Sequence, residues 1–195
     1  MSSLVALIAD DTRVLFEHLS ERGLSSDMRE VRSAEDLAAL AQRHDSAVLL
    51  AHGGSAGLGP TTSEVWADAA ALGETFRNPR VYAFACETVG GANSLGARSV
   101  AAGIRVFVGH DKPITAPVPK EARGALSEVA TAIVEAFLNG EDDTKRLRDI
   151  AYDAHEAVSE GVALDVQVNA DGDFWMRAKL HVQLAASLDV CRRTE

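Results

Sequence analysis

The chain has 195 residues, of which 47% are hydrophobic and 25% charged, and this composition is typical of one globular domain with a sizeable core. Its 29 acidic residues outnumber its 19 basic residues, which argues against nucleic acid or an anionic membrane as the main partner. The amino terminus has no basic segment, no apolar run is long enough to span a bilayer, and two cysteines do not make a disulfide framework. We therefore expect a cytoplasmic protein.

Short apolar runs alternate with amphipathic segments through the first part of the chain. The runs predict strands over 4–8, 28–31, 47–51, 80–85 and 104–108. Helices are predicted over 13–22, after the capping residue Ser33, from Thr61 or Thr62 onward, and from Ser94 to about residue 102. Strands and helices in this order predict an α/β fold with a mainly parallel, doubly wound sheet.

The second part of the chain changes character. Three prolines between residues 111 and 119 predict a loop that lies over the edge of the sheet, and two helices are predicted over 120–138 and 143–159. Apolar and polar residues then alternate from 164 to 184 around an Asp-Gly turn at 171–172, which predicts a C-terminal β-hairpin. We predict a single domain over 1–195, in which 1–119 form the sheet core and 120–195 complete it.

Two of the predicted strands end in side chains that can do chemistry. The strand over 47–51 leads into His52, Gly53 and Gly54, and the strand over 80–85 leads into Cys86. Loops at the carboxyl ends of parallel strands form the ligand sites of open α/β sheets. A cysteine attacks as the thiolate, and a nearby imidazole can take its proton. The sequence therefore predicts that a base and a nucleophile meet in one crevice.

Plainer interpretations compete with this one. Taken alone, His52 is more often a polar loop residue, and Cys86 is more often a small buried side chain. The glycines over 53–59 resemble a phosphate loop, but they follow the third predicted strand, lack the required lysine and run into Pro60. The other histidines are scattered without ligand spacing, so no metal site and no cofactor is predicted.

The residues around Cys86 resemble a known family. The stretch Val81-Tyr82-Ala83-Phe84-Ala85-Cys86-Glu87-Thr88-Val89-Gly90-Gly91, with the helix-to-strand passage over 99–108, is similar to the caspase-like (clan CD) cysteine peptidases and most similar to the bacterial CHAT group. The similarity covers about residues 46–110. It implies a caspase-like three-layer α/β/α sandwich. It also implies a catalytic dyad, in which His52 is the general base, Cys86 the nucleophile, and the backbone N–H groups of Gly53 and Cys86 bind the oxyanion.

The resemblance further implies a substrate pocket at the ends of the first strand, the Cys-bearing strand and the strand beyond it. Those positions hold Asp10 or Asp11 and Asp111, and an acidic lining would favour Arg or Lys in the substrate. Each aspartate has an alternative role, because Asp10 and Asp11 can cap the first helix and Asp111 can begin a proline-rich turn. His110 is either a second histidine near the site or a partly buried residue at a strand end.

The sequence also departs from the family. The caspase signature Gln-Ala-Cys is replaced by Phe84-Ala85-Cys86, so cleavage after aspartate is not implied, and the usual Trp-containing segment after the fifth strand is missing. We predict a cysteine endopeptidase that cleaves a protein or peptide after a basic residue, in a bacterial stress or defence setting with a regulatory protein partner. The alternative is a catalytically inactive caspase-like module for binding or assembly. A flavodoxin-like or amidase-type enzyme would need another partner for Cys86, and no Glu-His pair offers one.

Overall fold

The computed structural model describes residues 2–24, 26–76, 79–114, 120–166 and 184–193. Strands within these ranges lie at Ser3–Leu7 (β1), Asp27–Glu30 (β2), Ser46–Leu50 (β3), His52–Gly53 (β4), Leu58–Gly59 (β5), Arg80–Phe84 (β6), Val106–His110 (β7) and Leu188–Arg192 (β8). Six of them form one sheet in the order β2-β1-β3-β6-β7-β8. All neighbours in this sheet are parallel except β7 and β8, and β4 pairs with β5 in a separate small hairpin.

Helices of the described residues include Arg13–Glu21 (α1), Ala34–Ala41 (α2), Ala69–Thr75 (α3), Leu95–Ala101 (α4), Lys120–Leu138 (α5) and Thr144–Val166 (α6). Three of the short helices begin at a side-chain cap. Ser33, Asp68 and Ser94 each accept a hydrogen bond, 2.8–3.2 Å long, from the N–H three residues further on. Such caps satisfy amides that a helix leaves unpaired at its start, and they fix where α2, α3 and α4 begin.

Helices cover both faces of the sheet. Alternate residues of β1, β3 and β6 belong to two separate apolar cores. One core contains side chains of α2, α3 and α4, such as Leu37, Leu72 and Leu95. The other contains side chains of α1, α5 and α6, and we call it the α1/α5 core. Central parallel strands need this cover because both of their faces are apolar. The layering is compatible with a three-layer α/β/α sandwich.

The predicted strands of the first part of the chain are confirmed, with ends that differ by no more than two residues from the sequence-based bounds. The helices predicted over 13–22, after Ser33, after Ser94 and over 120–138 are present as well. The helix predicted over 143–159 begins at Thr144 and continues to Val166.

The helix predicted to start at Thr61 or Thr62 is wrong in its start. The residues from 58 to 67 instead form two antiparallel bridges, which join Leu58 to Ala67 and Thr61 to Glu64. The helix begins only at Ala69, because the carboxylate of Asp68 caps it. Leu58 and Ala67 lie in the core that contains α2, α3 and α4, and they reach it from an irregular connection and not from a helix.

The C-terminal hairpin predicted over 164–184 is not found where the structure can be compared with it. Leu164 and Val166 belong to α6, so the first predicted strand is helical at its start, and residues 167–183 lie outside the described residues. The strand β8 was not predicted. It pairs antiparallel with β7, with Val108 opposite Val190, and closes that edge of the sheet.

Candidate active site

The two strands that lead to His52 and Cys86 are neighbours in the sheet. β3 and β6 run parallel with Leu50 opposite Phe84, and the N–H of Ala51 donates to the carbonyl oxygen of Phe84 at 3.3 Å. His52 and Cys86 each lie two residues beyond this pair. Both therefore lie at the carboxyl edge of the sheet, at the same level and on adjacent strands, where parallel sheets place their sites.

The face on which Cys86 lies follows from the alternation of side chains along a strand. Leu50 and Phe84 belong to the α1/α5 core, whereas Ala51 and Ala85 belong to the opposite core. Cys86 packs against the α1/α5 core and is partly buried. The thiol thus lies at the rim of the face that α1 and α5 cover.

Gly53 shows that His52 lies on the same face. A Cβ atom on Gly53 would lie 2.7 Å from Cβ of Ala85, 2.8 Å from Cγ2 of Thr88 and 3.0 Å from the carbonyl oxygen of Cys86. A side chain at position 53 would therefore point to the face of the sheet on which the Ala85 side chain lies. Because neighbouring side chains point to opposite faces, His52 faces the side of Cys86. The imidazole and the thiol share one edge and one face.

The small hairpin formed by β4 and β5 orients the backbone of Gly53. At its turn the N–H of Gly54 donates to the carbonyl oxygen of Gly57 at 3.2 Å, and Gly53 lies opposite Leu58. Bonded and non-bonded pairs alternate in an antiparallel ladder, so Gly53 and Leu58 form a non-bonded pair. The N–H of Gly53 therefore points away from β5, so the hairpin ladder does not use it.

The backbone turns sharply after Cys86. Glu87 has a φ of 51°, in the left-handed region that costs a non-glycine residue about 1–2 kcal/mol. Two hydrogen bonds hold this conformation: the N–H of Thr88 donates to the carbonyl oxygen of His110 at 2.8 Å, and the N–H of His110 donates to Oγ1 of Thr88 at 3.3 Å. The end of β7 thus fixes the turn that presents Cys86.

The segment after β7 runs beside the thiol. The N–H of Ile114 donates to Sγ of Cys86 at 3.4 Å, and the N–H of Glu87 donates to the carbonyl oxygen of Lys112 at 3.4 Å. The Ile114 side chain is buried in the α1/α5 core, so this amide is fixed. Sequence reasoning missed this contact because a backbone donor leaves no signal in the pattern of side chains.

The structure separates the two aspartates that follow β1. Oδ2 of Asp11 lies 3.1 Å from Nε2 of His52, so this carboxylate belongs to the site. The carboxylate of Asp10 is exposed and accepts hydrogen bonds from Nε and Nη2 of Arg13 at 2.9 Å and 2.7 Å. Arg13 also pairs with Glu30, and hydrogen bonds to both carboxylates raise the pKa of its guanidinium. Asp10 is thus paired with Arg13 on the surface, whereas Asp11 faces His52.

Asp111 lies one residue beyond β7. Its N–H donates to the carbonyl oxygen of Ser187 at 2.9 Å, and its side chain is exposed. Its Cβ lies 3.2 Å from the place of a Cβ on Gly90, in the loop that continues from Cys86. Asp111 therefore lies at the same edge of the sheet, on the strand beyond the one that carries Cys86.

His110 is a fully buried residue of β7 whose ring has partners at both nitrogens. Oγ of Ser187 donates to the carbonyl oxygen of Leu184 at 3.1 Å and lies 2.8 Å from Nδ1 of His110. This arrangement assigns the ring proton to Nδ1, so Nε2 accepts from the hydroxyl of Tyr82 at 3.0 Å. Burial lowers the pKa of His110 to about 3, opposed only in part by a bond to the Leu184 carbonyl. His110 is thus a neutral structural residue and not a second base.

The apolar groove between α2 and α3, about 240 Å³ in volume with Leu37, Trp66 and Leu72 in its walls, contains no predicted site residue. Among the described residues, no group of three or more His, Cys, Asp or Glu could hold a metal ion. None of the described helices is both long and apolar enough to cross a membrane. No protein-family model matches the chain, and no curated protein matches it.

Proposed function

We propose that this protein is a cysteine endopeptidase of caspase-like fold, with His52 and Cys86 as its catalytic dyad. The observation that carries the proposal is the common place of the two side chains, at the carboxyl edge of adjacent strands and on one face of the sheet. The similarity of residues 46–110 to the CHAT group supports the same assignment of base and nucleophile.

In this reaction the thiolate sulfur of Cys86 attacks the carbonyl carbon of the scissile peptide bond, and His52 holds the proton from the thiol. The carbonyl oxygen becomes an oxyanion, which the N–H groups of Gly53 and Cys86 bind. The C–N bond then breaks, and His52 gives its proton to the leaving amine. Water activated by His52 next hydrolyses the thioester, which releases the acid product and restores the thiol.

The charges at this edge favour a basic residue on the acyl side of the cleaved bond. Asp11, Glu87 and Asp111 are exposed carboxylates from three different segments around Cys86, and Asp10 lies beside Asp11. The net charge of −10 adds a field that attracts cationic peptides. The substrate we propose is a protein partner in the cytoplasm, cleaved under regulation by another protein in a bacterial stress or defence system, as the resemblance implies.

Fluorogenic peptides test the activity and the specificity together. We expect cleavage after Arg or Lys and little after Asp or Leu, because a carboxylate pairs with a cationic side chain and repels an anionic one. Replacing the nucleophile in Cys86→Ala is expected to lower the rate of peptide cleavage by a factor of about 10³ or more. The matched control is Cys191→Ala, because Cys191 lies on β8 and burial raises the pKa of its thiol.

Cleavage that survives Cys86→Ala would rule out the proposed nucleophile. A folded wild-type protein that cleaves none of the peptides, alone or with bacterial lysate proteins present, would favour the alternative of a catalytically inactive binding or assembly module.

A further inference from the structure

The contact between Asp11 and His52 gives the proposed dyad a third group. Oδ2 of Asp11 lies 3.1 Å from Nε2 of His52, where the imidazole is 24% exposed and the Asp11 side chain 47% exposed, so the contact lies at the mouth of the site. Asp11 belongs to the short 3₁₀ turn Asp10–Thr12, which follows β1. The acid therefore comes from the strand next to the one that leads to His52.

The turn that carries Asp11 is tied to the strand that carries His52. The N–H groups of Ile8 and Ala9 both donate to the carbonyl oxygen of Leu50, at 2.9 Å and 3.0 Å. Oγ1 of Thr12 donates to the carbonyl oxygen of Ala9 at 2.6 Å and closes the turn. Leu50 lies two residues before His52, so these bonds hold the backbone of the turn beside the strand that leads to the ring.

We propose that Asp11 is a positioning residue, which holds His52 in the tautomer that carries its proton on Nε2. This inference rests on the proposed peptidase function. In this role Nε2 keeps its proton and turns it toward the carboxylate, which can only accept, and Nδ1 of the neutral ring is left as the acceptor. Nδ1 is then the atom that takes the proton of Cys86, and the carboxylate stabilises the imidazolium that results.

This role differs from the specificity role that the sequence predicts for Asp11, and kinetics separate the two. A positioning residue acts on the proton transfer, so its removal lowers kcat and leaves KM for an Arg peptide nearly unchanged. A residue that binds the basic side chain of the substrate acts on KM and on the preference for Arg over Leu.

The test uses the full chain with ¹⁵N-labelled histidine and the variants Asp11→Asn, Asp11→Ala and Asp11→Glu. In the wild-type protein at a pH where the ring is neutral, we expect His52 to show a protonated Nε2 and an unprotonated Nδ1 in the ¹⁵N spectrum. Both Asp11→Asn and Asp11→Ala should lose this single tautomer and reduce kcat at least about tenfold. Asp11→Glu should restore part of both. The control is Glu17→Gln, which removes an exposed carboxylate of α1 and should change neither reading.

Two results would overturn the positioning role: an unchanged tautomer of His52 in Asp11→Asn and Asp11→Ala, or a rise in KM at constant kcat. Neither of them affects the dyad itself, which depends on Cys86→Ala. If the wild-type protein cleaves no peptide, the tautomer still tests the contact, so failure of the peptidase proposal is seen separately from failure of the role of Asp11.

Discussion

The Gly53→Ala variant is expected to lose both stability and peptidase activity. Its new methyl group would lie 2.7–3.0 Å from Ala85, Thr88 and Cys86, which is closer than such atoms approach. Ala85 and Thr88 are fully buried and lie in the turn after β6, so they cannot move away without disturbing that turn. Overpacking of this kind costs about 1–3 kcal/mol in the free energy of unfolding. The strand β4 must then shift away from Cys86, and the imidazole moves with it.

Urea unfolding and peptide cleavage measure the two effects, and the adjacent residue provides the control. A Cβ on Gly54 would have no atom within 4 Å, so Gly54→Ala is expected to unfold and to cleave like the wild-type protein. Equal stability and equal activity of the two variants would contradict the close packing of β4 against the Cys86 turn.

The second large effect concerns acid stability, and His110 is its source. Burial lowers the pKa of His110 to about 3 in the folded protein, whereas an ordinary histidine titrates near 6.5. The unfolded chain therefore binds a proton below pH 6.5 that the folded protein refuses. The stability that the neutral His110 contributes is complete above about pH 6.5 and is lost as the pH falls towards 3. The slope is about 1.4 kcal/mol per pH unit.

A variant without a titrating ring isolates this contribution. His110→Gln keeps a donor and an acceptor for Ser187 and Tyr82 but takes up no proton. It loses the ring contacts with Tyr82 and Phe84, so it should be less stable than the wild-type protein near neutral pH. Urea unfolding should show that the difference in free energy of unfolding between the two proteins shrinks as the pH falls from about 6.5 to about 4, by about 1.4 kcal/mol per pH unit. Parallel curves for the two proteins would mean that His110 does not stay neutral in the fold.

The strands that carry the site were predictable because their burial is strong and local. Every residue of β3 and β6 is buried, and such runs can be recognised in the sequence whatever surrounds them. The edge strand β8 is different, since only Leu188 is fully buried and Asp189 interrupts the pattern. Its conformation depends on pairing with β7, which a local pattern does not contain.

The wrong start of the helix before β6 has a related cause. Thr61 and Thr62 are possible helix caps, and Trp66, Ala69 and Ala70 have the i, i+3, i+4 spacing of a helix face, so a local pattern predicts a longer helix. The structure uses the bridge between Leu58 and Ala67 instead, and Asp68 is the cap that is used. Several candidate caps in one segment leave the choice to tertiary contacts.

The candidate site was predictable only in part for the same reason. His52 and Cys86 follow strand ends, and strand ends can be read from the sequence. The different roles of Asp10 and Asp11 cannot be read from the sequence, because the two residues are adjacent and identical in type. It arises from Arg13 one turn further on, which binds Asp10, and from the backbone bonds to Leu50 that bring Asp11 to His52.

The most direct test of the shared cleft is the rate at which a neutral alkylating reagent labels Cys86 near neutral pH. The two cysteines of the chain are compared in one sample, and Cys191 is the internal reference because burial raises the pKa of its thiol. We expect Cys86 to be labelled much faster than Cys191, and we expect His52→Ala to slow the labelling of Cys86 about tenfold while Cys191 stays as it was. A rate at Cys86 that does not change in His52→Ala would show that the imidazole and the thiol do not act together.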